Sequence, residues 1–439
     1  MSEASGAPGP RILERAEHPI SRRNISENAL KVLYRLHGAG FKAYLVGGSV
    51  RDLMLGRQPK DFDAATDARP NEIRRLFRNS RIIGRRFRLV HVFFKDGVVE
   101  TSTFRREPDP DEQDAGEGEL LITSDNTFGT PREDAFRRDF TVNALFYSIE
   151  DFTVIDYVGG IEDLEAQVIR VIGDPDVRFR EDPVRMIRAC EFAARLGFGI
   201  EANTQEAIGR HQKELAKASP ARLTEEVLQL LSCGHAGPAL QWMLDLGLLA
   251  DLLPEALAIV SAGPRGFGDF SRFLPAIDAF AREGRPLSEV AVLAALLVPA
   301  LLVKRMEIEN ERRRPLGRRG VELLIREVVD PFVQRFALSK ARTQGLHQAL
   351  TIFQEFGAEL RPIERARLVR RPSFSDALAL LELLVRATGE GAEVLASWQA
   401  DLERVAQGRP AQPVAPQSAA DLEPEGERRS APRRRRRRR

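Results

Sequence analysis

The sequence predicts an α/β N-terminal head with a small mixed sheet, followed by all-α neck and body domains and a disordered basic tail. Three observations carry this. Up to residue 174, short apolar runs alternate with helix-patterned segments, as expected of strands and helices packed in layers. Beyond Asp176 the strand signals stop, and apolar residues recur with a 3.6-residue period from 183 to about 406. From Gly408 onward the composition is dominated by Pro, Ala, Glu and Arg, which cannot bury a core. The expected organisation is a flexible leader (1–24), a head (25–174), a helical neck (175–255), a helical body (256–406) and the tail (407–439). A further break is expected near residue 330.

Composition narrows the class. No run of 18 apolar residues occurs, so no transmembrane segment is expected. The opening MSEASGAPGPRILERAE lacks an apolar core, so no secretion signal is expected. Cys190 and Cys233 sit in helix-like contexts and read as reduced thiols, which points to the cytoplasm. The formal charge of +2 hides two unlike parts. The arginines at 428, 429 and 433–439 supply nine positive charges, and without them the charge falls to −7. A polyanion must therefore be met by local basic stripes.

The elements follow in order. Ser26 reads as the cap of a helix to about Leu36, with Ala29, Leu30, Leu33 and Leu36 on one face and Gly38 as its stop. Residues 42–46 read as a strand, Gly47-Gly48 as a turn and 49–55 as a short helix. Strands are expected over 61–65, 82–94 and 98–104, with a helix over 70–77. The acidic stretch 107–125 reads as a mobile loop. A helix is expected over 132–147. Strands over 154–158 and 168–172, joined through Gly159-Gly160, would close the head in a hairpin-like finish.

The chemistry concentrates first in residues 45–66, LVGGSVRDLMLGRQPKDFDAAT. In a strand, Asp61 and Asp63 would project from one face, about 7 Å apart along the chain. Two such carboxylates ionise together readily only around a cation, which is how an oxygen site for Mg²⁺ is built. Taken alone the pair also fits a solvated turn. Ahead of it, Gly47 and Gly48 offer bare N–H groups at a helix start, where a phosphate can bind. Arg51, one turn in, can reach a phosphate or pair with Asp52 or Asp61. A phosphate cradle beside a divalent-metal pair points to phosphoryl or nucleotidyl transfer.

Glu100 lies in VVETSTF, where Val98, Glu100 and Ser102 share one face. It is either an edge charge or a third carboxylate of a two-metal site. In residues 133–147, EDAFRRDFTVNALFY, a helix would pair Asp134 with Arg138 and Asp139 with Asn143. Arg138, Asp139 and Asn143 could then hydrogen-bond a ribose or triphosphate, or only tie the helix to the sheet. In residues 178–188, RFREDPVRMIR, Asp182 before Pro183 is a helix cap or a base acceptor. With Arg185 and Arg188 rising along the same face, a carboxylate and a guanidinium could match the edge of a base.

Together GGSVRD, the DFD pair, EDAFRRDFTVNALFY and REDPVRMIRA, in this order and spacing, resemble the class II template-independent nucleotidyltransferases. That family comprises bacterial poly(A) polymerases and tRNA CCA-adding enzymes. The likeness covers residues 41–198 and, loosely, continues to about 249. It implies a polymerase-beta-like nucleotidyltransferase head. It further implies that Gly47, Gly48 and Arg51 hold the triphosphate, and that Asp61 and Asp63 hold two Mg²⁺ ions, with Mn²⁺ equally suited. Asp139 would be essential, with Arg138 and Asn143 facing sugar and phosphates. Asp182 and Arg185 would read the base, with Arg188 in support.

Residues 81–92, including Arg85, Arg86 and Arg88, look like the poly(A) polymerase version of this segment. No His-Asp dipeptide occurs, so the phosphohydrolase domain of some CCA-adding enzymes is not expected. The resemblance implies addition of AMP from ATP to RNA 3′ ends; complete or partial CCA addition to tRNA is the alternative. A non-catalytic RNA-binding protein on the same scaffold is opposed by the intact Asp61, Asp63 and Asp139. The expected partners are RNA 3′ ends and ATP, with the chain acting as a monomer. An RNA-degradation or RNA-chaperone partner is compatible with this and left unspecified. Basic runs at Lys304, Arg305, 312–314, Arg318, Arg319 and 361–371 are either solvated helix faces or RNA contacts, with Arg312, Arg313, Arg370 and Arg371 as candidates. Aromatic residues among them are few, so salt-sensitive phosphate contacts are expected to dominate.

Overall fold

The computed structural model describes residues 9–84, 88–106, 127–260 and 272–411, without the side chains of 258–260. Eight strands form one mixed sheet. They are β1 (Arg11–Leu13), β2 (Ala43–Val46), β3 (Asp63–Thr66), β4 (Ser80–Ile83), β5 (Leu89–Phe94), β6 (Gly97–Thr103), β7 (Leu145–Ser148) and β8 (Val154–Asp156). Their order is β1-β8-β7-β2-β3-β6-β5-β4. The β3–β6 pair is parallel and the other neighbours are antiparallel. Helix α1 (Glu27–Gly38) starts where the Ser26 hydroxyl accepts from the Ala29 N–H. Its Ala29, Val32, Leu33 and Leu36 join Val90, Val92 and Val99 of the sheet in one core. Alternation along β6 buries Val99, Thr101 and Thr103 and leaves Glu100 and Ser102 on the other face. That other face carries the site.

The remaining head helices are α2 (Gly48–Met54), α3 (Pro70–Leu76), α4 (Pro131–Arg137) and α5 (Gly160–Ala166). The neck begins with α6 (Pro175–Glu181), α7 (Arg185–Leu196), α8 (Ala202–His211), α9 (Pro220–Ser232) and α10 (Ala236–Asp245). A two-stranded parallel sheet, β9 (Val168–Ile169) with β10 (Gly199–Ile200), ties the two regions. Helices continue as α11 (Leu249–Leu252), α12 (Pro254–Val260), α13 (Phe273–Arg282), α14 (Glu289–Arg312), α15 (Arg318–Phe336), α16 (Lys340–Glu355), α17 (Pro362–Val369), α18 (Phe374–Thr388) and α19 (Ala392–Ala406). One apolar core runs from head to body. Among the described residues no helix is long and apolar enough to cross a membrane. Both cysteines are free.

Several expectations are corrected. The leader is structured from residue 9: β1 pairs with β8, and His18 and Ile20 are buried. Strand β1 takes the edge position by backbone pairing with β8, a contact no local pattern announces. Strand β3 begins at Asp63, so Asp61 lies in the loop before it and the shared-face argument from strand alternation does not apply. The helix expected over 132–147 ends at Arg137; a 3-10 turn over Thr141–Asn143 and then β7 follow. The expected hairpin after residue 154 is instead β8, α5 and β9, and β10 is a strand beyond Asp176. The break near 330 falls inside α15, whose Val328, Val329 and Phe332 are buried. The stretch 107–125 and the tail from 412 lie outside the described residues.

Candidate active site

The site is built around the turn between β2 and α2. Gly47 has φ +71° and ψ −139°, a conformation that L side chains resist. A Cβ there would also stand 3.3 Å from the Arg138 guanidinium. The turn therefore brings backbone and Arg138 together. Gly48 lies equally close to Arg51, whose side chain is turned inward and is 2 % exposed. Arg51 Nε donates to Asp52 at 2.8 Å and Nη1 to the Asn143 side-chain oxygen at 2.5 Å. The guanidinium is 5.4 Å from the Phe192 ring. It ties α2 to the 3-10 turn rather than standing open.

Asp63 and Glu100 share a cavity of about 220 Å³ with Ser102, Arg105, Asp134, Arg137 and Arg138. Burial, helped by the charges of Glu100 and Asp61 and opposed by Arg138, pushes the Asp63 carboxyl up to about 6. Asp61 is exposed at the loop end and acts on Asp63 through its charge. Glu100 sits directly across from His91, whose Nε2 is 3.3 Å away. Among the described residues no three or more Asp, Glu, His or Cys side chains are gathered closely enough to hold a metal ion alone.

The opposite wall is basic. Arg138 caps α4 and donates to Asp134 Oδ2 at 3.1 and 2.8 Å. Its Nη1 also reaches the Asn143 carbonyl at 3.4 Å. Burial, with the charges of Arg105, Arg138, Arg178 and Arg185, pushes Arg137 down to about 9. Arg178 Nη2 donates to the carbonyls of Arg137 and Arg138 at 2.6 and 3.0 Å, so α6 braces this wall.

Asp139 and Asn143 do meet, although not as helix neighbours. Asn143 Nδ2 donates to Asp139 Oδ1 at 3.3 Å across the 3-10 turn. That turn is held from below. A Cβ on Gly160 would stand 2.2 Å from the Thr141 carbonyl oxygen, so only glycine allows α5 this close. Thr141 Oγ1 donates to Asp163 at 2.7 Å. The Asp139 Oδ2 atom accepts from Arg188 Nε at 2.9 Å and Nη2 at 2.8 Å. Burial alone would raise the Asp139 carboxyl, but Arg188 and the Phe140 N–H bring it below the usual range.

The neck residues are arranged differently from the expectation. Asp182 ends α6 and does not cap the next helix. Both its oxygens are taken by Arg222 of α9, one through Nη1 and the other through Nη2 at 2.9 Å. Arg185 faces inward from the buried side of α7, donating to the Arg178 carbonyl at 3.2 Å, with Glu181 3.4 Å away. Arg188 also lies 3.5 Å from Glu226, one turn beyond Arg222. Arg222, Glu226 and Arg105 were missed in the sequence because they lie outside the motifs, and Arg137, inside the 133–147 motif, was given no role there because only burial shows it facing the cavity. The i,i+4 spacing did identify the Asp134–Arg138 pair.

Of the RNA-contact candidates, Arg85 and Arg86 lie outside the described residues, and Arg88 is exposed just before β5. Arg312, Arg313, Arg370 and Arg371 are exposed on the body. Arg365, within the basic run 361–371, is buried instead. It donates to Asp401 at 2.5 Å and Ser397 at 2.8 Å, and lies 3.6 Å from the Trp398 ring.

A mixed sheet whose open face sets acidic groups against arginines beside a glycine turn, continued by a helical neck, defines a nucleotidyltransferase. Comparison with known proteins narrows this. Residues 43–170 match the family described as the poly A polymerase head domain, and 197–259 match that described as the probable RNA and SrmB-binding site of polymerase A. Poly(A) polymerase I of Salmonella typhi is 40 % identical over 412 residues, 91 % of this chain and 87 % of that one. A CCA-adding enzyme of Bacillus velezensis is 40 % identical over 224 residues, 51 % of this chain and 55 % of that one. The crystal structure of Bacillus stearothermophilus CCA-adding enzyme in complex with CTP aligns with a TM-score of 0.58 at 26 % identity, covering 87 % of this chain and 82 % of that one. The chain belongs to the poly(A) polymerase family.

Proposed function

We propose that this protein transfers AMP from ATP to the 3′-OH of RNA without a template, releasing pyrophosphate, at the cavity between Asp63 and Arg138. The observation that carries the reading is the extent of likeness. Identity with a poly(A) polymerase I runs over 91 % of the chain, whereas identity with a CCA-adding enzyme runs over 51 %.

The donor set fits a divalent cation. Burial, together with the charges of Glu100 and Asp61, pushes the Asp63 carboxyl up to about 6, and a cation beside it offsets that cost. Mg²⁺ commonly takes one or two carboxylates with substrate phosphate oxygens completing its shell, so three clustered side chains are unnecessary. Mg²⁺ or Mn²⁺ on Asp61 and Asp63 would lower the proton affinity of the attacking hydroxyl and neutralise the phosphates. Arg138, Arg137 and Arg105 face the charge that builds on the departing pyrophosphate. Gly47 and Gly48 let backbone approach the triphosphate. Arg51 holds Asn143 in place, and Asp139, fixed by Arg188, orients Asn143 toward the ribose. Asp182, steadied by Arg222, accepts from the exocyclic amine of adenine, and Arg185 supports it from below.

Incubation with one unstructured RNA and ATP alone tests the reading. A long ladder of products is expected. Addition of a single nucleotide, confined to tRNA lacking its last A, would transfer the chain to the CCA-adding branch.

A further inference from the structure

The face of the sheet that bears Asp63 does not end at the cavity. Strand register carries it outward. Glu100 of β6 lies opposite His91 of β5, and His91 lies opposite Arg81 of β4. Beside this row Phe93 lies opposite Val98. Phe93 is 38 % exposed and Val98 49 % exposed, large apolar groups left bare on an open sheet face. The His91 and Phe93 rings stand 6.3 Å apart, and the Arg81 guanidinium is 5.8 Å from the Phe93 ring.

We propose that His91, Phe93 and Arg81 form a stacking platform for the RNA nucleotides just behind the reacting 3′ end. The proposal rests on the function given above, which places the 3′-OH at Asp63. The nucleotides behind it must leave along a surface continuous with the cavity. This row is such a surface, because Glu100 belongs to both. Strand β5 is two strand spacings from β3, about 10 Å, within reach of those nucleotides. An exposed ring offers its face to any base, and a neighbouring guanidinium suits the phosphate between bases. Such a platform binds RNA without reading sequence, as repeated addition of one nucleotide requires. The acidic Glu100 keeps phosphates off the row near the cavity, while Arg81 draws them at its outer end.

The test compares wild type, Phe93→Ala and Phe93→Trp in steady-state extension of a 15-nucleotide oligo(A) primer. Both substitutions are at an exposed position, and melting curves check folding. Phe93→Ala is expected to raise the KM for primer about tenfold, the scale of one missing base stack. The KM for ATP should stay unchanged, and Phe93→Trp should restore primer binding. A primer carrying 4-thiouridine next to its 3′ end should crosslink to the peptide spanning residues 88–100. A primer KM unaltered in Phe93→Ala, or crosslinks confined to residues 202–260, overturns the platform and leaves the patch as a protein-docking face. Failure of the wild type to extend RNA at all would strike the function itself, a separate result.

Discussion

The arginines around the active site and those of the body are built for different work. Arg51, Arg188 and Arg222 each end on an acceptor far away in the chain: Asn143, Asp139 and Asp182. Arg51 is buried, Arg188 and Arg222 are half-buried, and Arg51 and Arg188 lie within 5.4 and 5.1 Å of the Phe192 ring. Arg312, Arg313, Arg370 and Arg371 stand exposed at helix ends of the body. The first group spends its charge inside the protein and fixes geometry. The second keeps its charge for solvent and any polyanion that approaches. A high arginine content therefore has two meanings here, and only burial separates them.

Substitutions can break or sharpen that contrast, beginning with the carboxylate at the centre of the site that the first group frames. Asp63→Ala should lower AMP incorporation by about a thousandfold or more while the melting temperature is kept, because the charge stabilisation at the reacting phosphate is removed. Activity within a few-fold of wild type would remove Asp63 from the metal site. Arg188→Met leaves Asp139 buried without its partner. It should cost about 3 kcal/mol of stability and most of the activity, measured by denaturant melts and AMP incorporation. Retention of full stability would show the pair to be incidental.

Arg222→Ala should act more narrowly. It frees Asp182 and is expected to reduce the preference for ATP over CTP about tenfold, the scale of one misplaced polar group. An unchanged ratio would mean that Asp182 needs no brace. The double substitution Arg370→Ala and Arg371→Ala should give the smallest effect. RNA affinity should fall a few-fold, and the slope of log affinity against log salt should drop by about 0.7 for each phosphate that is no longer neutralised, with KM for ATP unchanged. Equal effects on ATP and RNA would erase the distinction between the two arginine groups.

Much of the head was legible in advance. Ser26, the Gly47 turn and the alternation around Glu100 behave as their local chemistry dictates. The segment after Arg137 was not. Its pattern suits a helix, but the Asp139–Asn143 hydrogen bond is made by a 3-10 turn that packs on α5 through Gly160. Tertiary packing overrode the local preference. The leader failed for the same reason, since β1 is stabilised by pairing with β8.

By itself the sequence singled out candidate side chains for the chemistry, because phosphate and metal chemistry demand particular residue types at short spacing. Asp61, Asp63, Asp139 and Asp182 all sit in such motifs. What only the tertiary structure decided is which group each of them meets. Arg51 and Asn143 are 92 residues apart, Arg188 and Asp139 are 49 apart, and Arg222 and Asp182 are 40 apart. No local period spans such separations. The partners are chosen where helices cross and buried charges must find counter-charges.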